Sequence, residues 1–199
     1  SLATIEYGNL TLDKETSHKV LLGFKKENTR LSFGIDSYLN SVSNFIYIEP
    51  TGVEQTTRGA FPVWSYNSTK VFMWGWDVFG EIQFAQDLEY TFNAAYTYAQ
   101  DLTKNEPLIL VPPFAFNQQM AYTFSKKNIE ILLSHRFTGT QNRFPDTNFS
   151  VNLIESGTII QKQLDVSTPP TGYHNLDIYF SLPLTNQTSF KSTIRLIVL

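Results

Sequence analysis

Two segments in the middle of the chain alternate between bulky apolar residues and small or polar residues. The first covers residues 88–99 and the second covers residues 114–125. Because successive side chains of a β-strand point to opposite faces, each segment predicts a strand with one aromatic face and one face of small or polar groups. The second face carries Asn, Gln, Thr and Ala and almost no charge. This pattern indicates strands that contact lipid on one side and a polar lumen on the other.

Six further segments show the same alternation less regularly. Their apolar faces fall in residues 18–24, 31–35, 72–82, 129–137, 176–182 and 194–198. The total is about eight strands of roughly 10 residues, near the length that a tilted strand needs to cross a bilayer. We therefore predict an all-β antiparallel meander that forms a partial segment of a large transmembrane β-barrel, with residues 1–199 as a single segment.

Long and short connections alternate between the predicted strands. The long connections cover residues 49–67, 100–113 and 139–171, and the short ones cover 25–30, 84–88, 125–128 and 183–191. Outer-membrane barrels have short periplasmic turns and longer extracellular loops. The alternation therefore predicts which end of each strand faces the outside.

Composition excludes several classes of protein. The chain has 199 residues, of which 15% are aromatic and 17% are charged, so it is long and apolar enough to fold. A net charge of -3 leaves no basic surface for nucleic acid. The lack of cysteine excludes a disulfide scaffold and a zinc–thiolate site.

The sequence contains no recognisable catalytic or metal-binding motif. Its three histidines stand far apart at strand positions: His18, His135 and His174. We predict structural or interfacial roles for them, with no metal site and no cofactor. Three carboxylates, Asp77, Glu81 and Glu89, lie on one face of neighbouring strands, where polar lining explains them better than acid–base chemistry does. We predict that the chain is not an enzyme.

Aromatic residues suggest two other roles. Interfacial Trp and Tyr anchor barrels at the depth of the lipid headgroups. We predict this role for Phe72, Trp74, Trp76, Tyr96, Tyr98, Phe114 and Phe116. Aromatic and Arg side chains in loops are typical of binding sites. On that basis the candidate ligand-binding residues are Arg58, Phe61, Trp64, Tyr66, Arg143 and Phe144, with packing within the loops as the alternative.

Four stretches of the chain resemble one family in their order and spacing. They are Gly8, Asn9, Leu12 and Glu15; Ser41 to Ile46 with Gly52; Tyr66 and Asn67 with Gly75 and Asp77; and YTYAQD at 96–101 with Pro107, Leu108, Val111, Pro112, Pro113 and Asn117. They are similar to the C-terminal part of the barrel of TonB-dependent receptors from the Gram-negative outer membrane. The chain departs from the family pattern at Leu10 and Lys14, where prolines are usual, and at Asp77, where Glu is usual.

The resemblance implies a fold and a function. Such receptors close about 22 strands around a plug domain, so we expect the plug and the remaining strands to lie outside residues 1–199. The family implies active uptake of a scarce, bulky nutrient, such as a ferric siderophore or another iron complex, across the outer membrane. The expected partners are that nutrient, outer-membrane lipid, and TonB through an N-terminal part. The unpaired first and last strands predict edge-to-edge self-association of an isolated segment.

One alternative remains open from the sequence. A soluble, secreted β-sandwich that binds carbohydrate or another ligand would use the same alternating strands to build a two-sheet core. The low charge on the polar faces of the central strands and the alternation of loop lengths favour the barrel segment.

Overall fold

The computed structural model describes residues 4–145, 149–164, 168–169, 171–183 and 189–198. In these ranges the chain forms the strands β1 (Ile5–Tyr7), β2 (Thr16–Glu27), β3 (Leu31–Thr56), β4 (Gly59–Ala85), β5 (Leu88–Asp101), β6 (Glu106–Pro107), β7 (Ala115–Phe124), β8 (Ile129–Thr138), β9 (Phe149–Glu155), β10 (Thr158–Leu164), β11 (Tyr173–Pro183) and β12 (Ser189–Val198). No helix in the described ranges is long and apolar enough to cross a membrane.

Eight long strands form one sheet in the order β12-β11-β8-β7-β5-β4-β3-β2. Each long strand is antiparallel to its neighbours. The short strand β1 adds to β4 in parallel, β6 adds to β5, and β9 and β10 form a separate hairpin. The prediction of an all-β antiparallel meander of about eight strands is confirmed. The long strands are not divided between two sheets, as a sandwich requires.

The register of the sheet aligns the apolar sides of neighbouring strands. Leu39, Trp74 and Tyr98 lie side by side on β3, β4 and β5, and Val20 continues this row on β2. On the opposite face, a row of Asn93, Asn117, Arg136 and Asn175 runs from β5 to β11. We call these two sides the apolar face and the polar face. A one-residue slip would exchange them, so the alternation fixes the register.

Strands β3 and β4 differ from the sequence prediction. The sequence predicts a long connection over residues 49–67, but these residues continue both strands to a two-residue turn at Thr57 and Arg58. In the structure Pro50 and Gly52 flank a bulge, where the pairing shifts by one residue and proline is tolerated. The result is a β-ribbon that extends beyond the end of β5.

Close packing over glycine ties three strands together. The ring of Tyr38 on β3 lies over Gly75 on β4, and its hydroxyl is 3.3 Å from the hydroxyl of Thr97 on β5. A Cβ atom at position 75 would lie 2.6 Å from the backbone oxygen of Tyr96 and 2.7 Å from the Tyr38 ring. Position 75 therefore accepts only glycine without movement of the sheet.

A small core forms at the end of the sheet that carries the long connections, which we call the loop end. Val42, Val71 and Ala99 lie on the polar face there and are buried by Leu108 from the segment between β5 and β7. Asp101 ends β5 beside this core and is 3% exposed. The connection after β5 is therefore packed onto the sheet.

Candidate ligand-binding site

A short stretch of the β5–β7 connection separates two cavities at the loop end. It consists of Ile109, Leu110, Val111 and Pro112, and we call it the partition. It is held at both ends: the Leu108 N–H donates to the Ala99 carbonyl at 3.2 Å, and the Gln141 side chain donates to the Val111 carbonyl at 2.7 Å. Leu110 itself is 78% exposed and has a φ of 61°, which is unfavourable for leucine.

The first cavity has a volume of about 410 Å³ and lies between the partition and the segment after β8. Trp64, Phe144 and Tyr173 supply aromatic lining, and Arg143 is the one cation among the described lining residues. Pockets that bind small molecules are mostly apolar, with few polar groups, and occupy roughly 300–1,000 Å³. This cavity fits that description.

The second cavity lies on the other side of the partition. Its volume is about 440 Å³, and its walls include Ile46, Tyr66, Met73 and Leu108. The four partition residues line both cavities. The partition is therefore a wall that the two cavities share.

A polar cluster closes a third, smaller cavity of about 220 Å³. Glu49 is its centre: its carboxylate accepts hydrogen bonds from Asn67 at 2.6 Å, from Tyr47 at 3.1 Å and from Lys104 at 2.5 Å. The Lys104 ammonium also lies 5.5 Å from the centre of the Tyr47 ring. These contacts attach the β5–β7 connection to the β3–β4 ribbon.

Electrostatics support this attachment. Burial alone would lower the pKa of Lys104, but the hydrogen bonds and charge attraction from Glu49 and Tyr47 outweigh burial and raise the pKa. Burial raises the pKa of Tyr47, with a smaller opposing effect from Lys104. Lys104 therefore stays protonated and Tyr47 stays neutral at physiological pH.

Asp101 fixes the start of the same connection. Its carboxylate oxygen Oδ1 accepts hydrogen bonds from the Thr69 hydroxyl at 2.7 Å and from the backbone N–H groups of Thr103 and Lys104 at 2.8 and 2.9 Å. A carboxylate with three donors holds a tight turn. The turn places Lys104 toward Glu49.

The structure brings together some of the predicted ligand-binding residues. Trp64, Arg143 and Phe144 line the first cavity, and Tyr66 lines the second. The Arg143 guanidinium lies 3.5 Å from the centre of the Tyr98 ring and donates to Gln100 at 2.7 Å.

The other two candidates lie elsewhere. Arg58 is at the tip of the β3–β4 ribbon, and Phe61 lies on β4 opposite Glu54. Neither residue lines the two cavities beside the partition.

The predicted interface aromatics gather on the apolar face near the loop end. The Trp74 ring lies 5.6 Å from both Tyr96 and Tyr98, and Trp76 lies 6.1 Å from Phe114. Phe72 and Phe116 share this face by register. The contacts form a continuous aromatic cluster that extends to Phe137, 6.2 Å from Phe114.

Two of the three histidines contact each other in the structure. The separation of 39 residues in the sequence predicts isolated side chains for His135 and His174, but Nε2 of His135 and Nδ1 of His174 are 3.0 Å apart. Pairing of β8 with β11 brings them together. Across the described ranges, no group of three or more metal-ligating side chains is placed to hold an ion. Asp77, Glu81 and Glu89 lie on the polar face, as expected from alternation.

Sequence reasoning missed the partition and the polar cluster. The run Pro107 to Val111 is unusually apolar for a loop, and that composition was the available signal for a buried segment. The Glu49–Lys104 pair gave no local signal, because its partners are 55 residues apart.

Solved structures with the same architecture are receptors and transporters. The chain superposes on the copper transporter OprC with a TM-score of 0.71 at 12% identity, and the superposition covers 94% of this chain and 26% of OprC. For the siderophore receptor PirA from Acinetobacter baumannii, the TM-score is 0.63 at 17% identity, and the superposition covers 96% of this chain and 28% of PirA. For the FrpB iron transporter from Neisseria meningitidis, the TM-score is 0.56 at 11% identity, and the superposition covers 90% of this chain and 26% of FrpB.

The chain therefore spans about a quarter of the length of these structures. A search of curated protein sequences gave no significant match. The family model described as "TonB dependent receptor-like, beta-barrel" matches residues 1–196. The match covers nearly the whole chain and agrees with the sheet described above, so the chain belongs to the TonB-dependent receptor β-barrel family.

Proposed function

We propose that this chain is part of the barrel of an outer-membrane receptor that takes up a scarce, bulky nutrient, such as a ferric siderophore or another iron complex, in a Gram-negative bacterium. The family match over residues 1–196 supports a role as part of a receptor barrel. The two cavities beside the partition support binding of a ligand at the loop end. TonB is the proposed energy-coupling partner, through a part of the receptor outside residues 1–199.

The apolar face provides the contact with outer-membrane lipid in this proposal. The aromatic cluster of Trp74, Trp76, Tyr96 and Tyr98 takes the headgroup level of the outer leaflet. The polar face lines the lumen. The free edges of β2 and β12 pair with other strands of the whole barrel, or with a second copy when the segment is isolated.

The lining of the first cavity favours a ligand with flat, unsaturated groups. Trp64 and Phe144 offer stacking surfaces, and large aromatic side chains dominate the energy of many binding sites. Neighbouring structures include a ferric enterobactin receptor. Ferric enterobactin is therefore a suitable first probe of the catecholate class.

Uptake of radiolabelled iron from ferric enterobactin tests the proposal. The full-length receptor is expressed in a strain that lacks its own siderophore receptors, as wild type and as Trp64→Ala, Phe144→Ala and Phe61→Ala. We expect roughly tenfold weaker uptake in the first two variants, since an aromatic anchor contributes more than 1 kcal/mol. Phe61→Ala is the control, because Phe61 is aromatic and at the same end of the sheet but lines neither cavity.

Two results count against the proposal. Uptake by all three variants that equals uptake by the wild type would exclude the cavities as the binding site. No uptake by the wild-type receptor of ferric enterobactin, of a hydroxamate complex or of haem would exclude an iron complex as the nutrient.

A further inference from the structure

Four polar side chains form a hydrogen-bonded series on the apolar face. The Tyr90 hydroxyl donates to Oε1 of Gln118 at 2.8 Å, Nε2 of Gln118 lies 3.1 Å from Nδ1 of His135, and Nε2 of His135 lies 3.0 Å from Nδ1 of His174. We call this series the polar chain. It crosses four strands, β5, β7, β8 and β11.

The register places the polar chain among apolar residues. Gln118 lies between Phe92 and His135 in one row of the sheet, and His174 lies opposite Phe137 and Val198 in the next. This face contacts hydrocarbon in a membrane barrel. Ionisable side chains are rare there and mark functional sites when they occur.

The hydrogen bonds have a direction. Oε1 of Gln118 accepts from Tyr90, so the Gln118 NH₂ group faces His135 and Nδ1 of His135 must accept. Nε2–H of His135 then donates to Nδ1 of His174. The remaining donor is Nε2–H of His174, whose side chain is exposed.

The geometry of the two imidazoles favours a hydrogen bond over metal chelation. Their planes are within 13° of each other and their centroids are 5.2 Å apart, while the two facing nitrogens are 3.0 Å apart. The rings therefore meet edge to edge, with the nitrogens pointing at each other across one hydrogen. Nitrogens that share a metal ion point instead at a third position between them.

The neighbouring strands supply no carboxylate for the last donor. On β8, β11 and β12, the described residues of the apolar face include no carboxylate. The Phe137 ring lies 4.7 Å from the His174 ring and belongs to the aromatic cluster near the loop end. His174 is thus at the level where headgroups of the outer leaflet lie if the proposed membrane orientation holds.

We propose that His174, supported by the polar chain, binds the phosphate group of an outer-membrane lipid. The inference depends on the proposed function, because it needs the apolar face to contact lipid. A hydrogen bond from imidazole to phosphate is stronger than one to a neutral acceptor. Each member of the polar chain can both donate and accept a hydrogen bond, so the series stays connected when Nε2–H of His174 donates to the phosphate.

Lipid retention by the full-length receptor tests this site. The receptor is delipidated in detergent and titrated with bisphosphorylated lipid A, and bound lipid is counted by native mass spectrometry. We expect about tenfold weaker binding in His174→Leu and in His135→Leu. His18→Leu is the matched control, because His18 lies on the same face of the sheet, on β2, outside the polar chain. Dephosphorylated lipid A should bind wild type as weakly as bisphosphorylated lipid A binds His174→Leu.

Three outcomes would overturn the inference: equal binding of lipid A to wild type and His174→Leu, equal loss in His18→Leu, or no preference for the phosphorylated lipid. A change of oligomeric state in His174→Leu with unchanged lipid binding would also overturn it, in favour of a contact between two copies. Heat-shifted mobility on a gel checks that each variant is a folded barrel. Loss of that property in the wild type would contradict the proposed function itself, whereas loss of lipid binding alone would not.

Discussion

Lys104 joins the β5–β7 connection to the β3–β4 ribbon through its contact with Glu49. Its ion pair with Glu49 is partly exposed, with side-chain exposures of 45% for Lys104 and 19% for Glu49. Pairs of this kind contribute about 0.2–1 kcal/mol. We expect Lys104→Met to speed hydrogen exchange in residues 102–108 by up to about fivefold.

The matched control for this change is Lys25→Met. Lys25 and Glu27 form an ion pair with a 2.7 Å separation, far from the cavities. Its removal should leave exchange in residues 102–108 unchanged. Equal exchange rates in wild type and Lys104→Met would show that the ion pair does not hold the connection.

The pH dependence of the same contact has a definite sign. The folded-state pKa of Lys104 is raised above its ordinary value of 10.5, so its contribution is complete below that value and is lost only as pH rises through the higher folded pKa. We expect protection of residues 102–108, corrected for intrinsic exchange, to be constant from about pH 7 to 9. A loss of protection in this window would contradict the assigned charge state.

Leu110 has an unfavourable backbone conformation and little burial to compensate for it. A left-handed conformation costs a non-glycine residue about 1–2 kcal/mol, and glycine avoids this cost. We expect Leu110→Gly to leave exchange in the partition unchanged or slower, while Leu102→Gly, without that conformation, should make its own segment exchange faster. Faster exchange in Leu110→Gly would show that the Leu110 side chain, despite its exposure, stabilises the partition.

The strands show how far alternation predicts an element. The apolar faces of β2, β4, β5, β7, β8, β11 and β12 follow directly from period-two patterns in the sequence. The β3–β4 ribbon does not follow from such a pattern, because Pro50 and Gly52 interrupt the alternation. Pairing of β3 with β4 continues on both sides of the bulge. Contacts between distant elements, such as Glu49 with Lys104 and His135 with His174, depend on register and had no signal in the sequence.

Glycine positions test the packing of β3 against β4 and β5. We expect Gly75→Ala to destabilise the full-length receptor by about 1–3 kcal/mol, because the added Cβ meets a backbone oxygen and the Tyr38 ring. Gly52→Ala is the control, since a Cβ there meets nothing within 4 Å. The measurement is the temperature at which the folded band on an unheated gel is lost. Equal temperatures for the two variants would contradict the close packing over Gly75.

In the molecule as a whole, the eight long strands form one sheet with an apolar face and a polar face. Residues 1–196 match a single family model, and the sheet superposes on about a quarter of each receptor structure compared. The fold class is predictable from the sequence because most long strands repeat the same alternation. The cavities of the proposed binding site are not predictable from the sequence, since the partition, the ribbon and the segment after β8 build them together.

The proposed function requires that the apolar face of this sheet contacts a membrane. The most direct measurement compares the full-length receptor with and without detergent, by circular dichroism and by gel mobility before and after heating. We predict a β spectrum that requires detergent or lipid, together with a heat-dependent shift in mobility. A monodisperse protein that keeps its β spectrum in water without detergent would contradict the account.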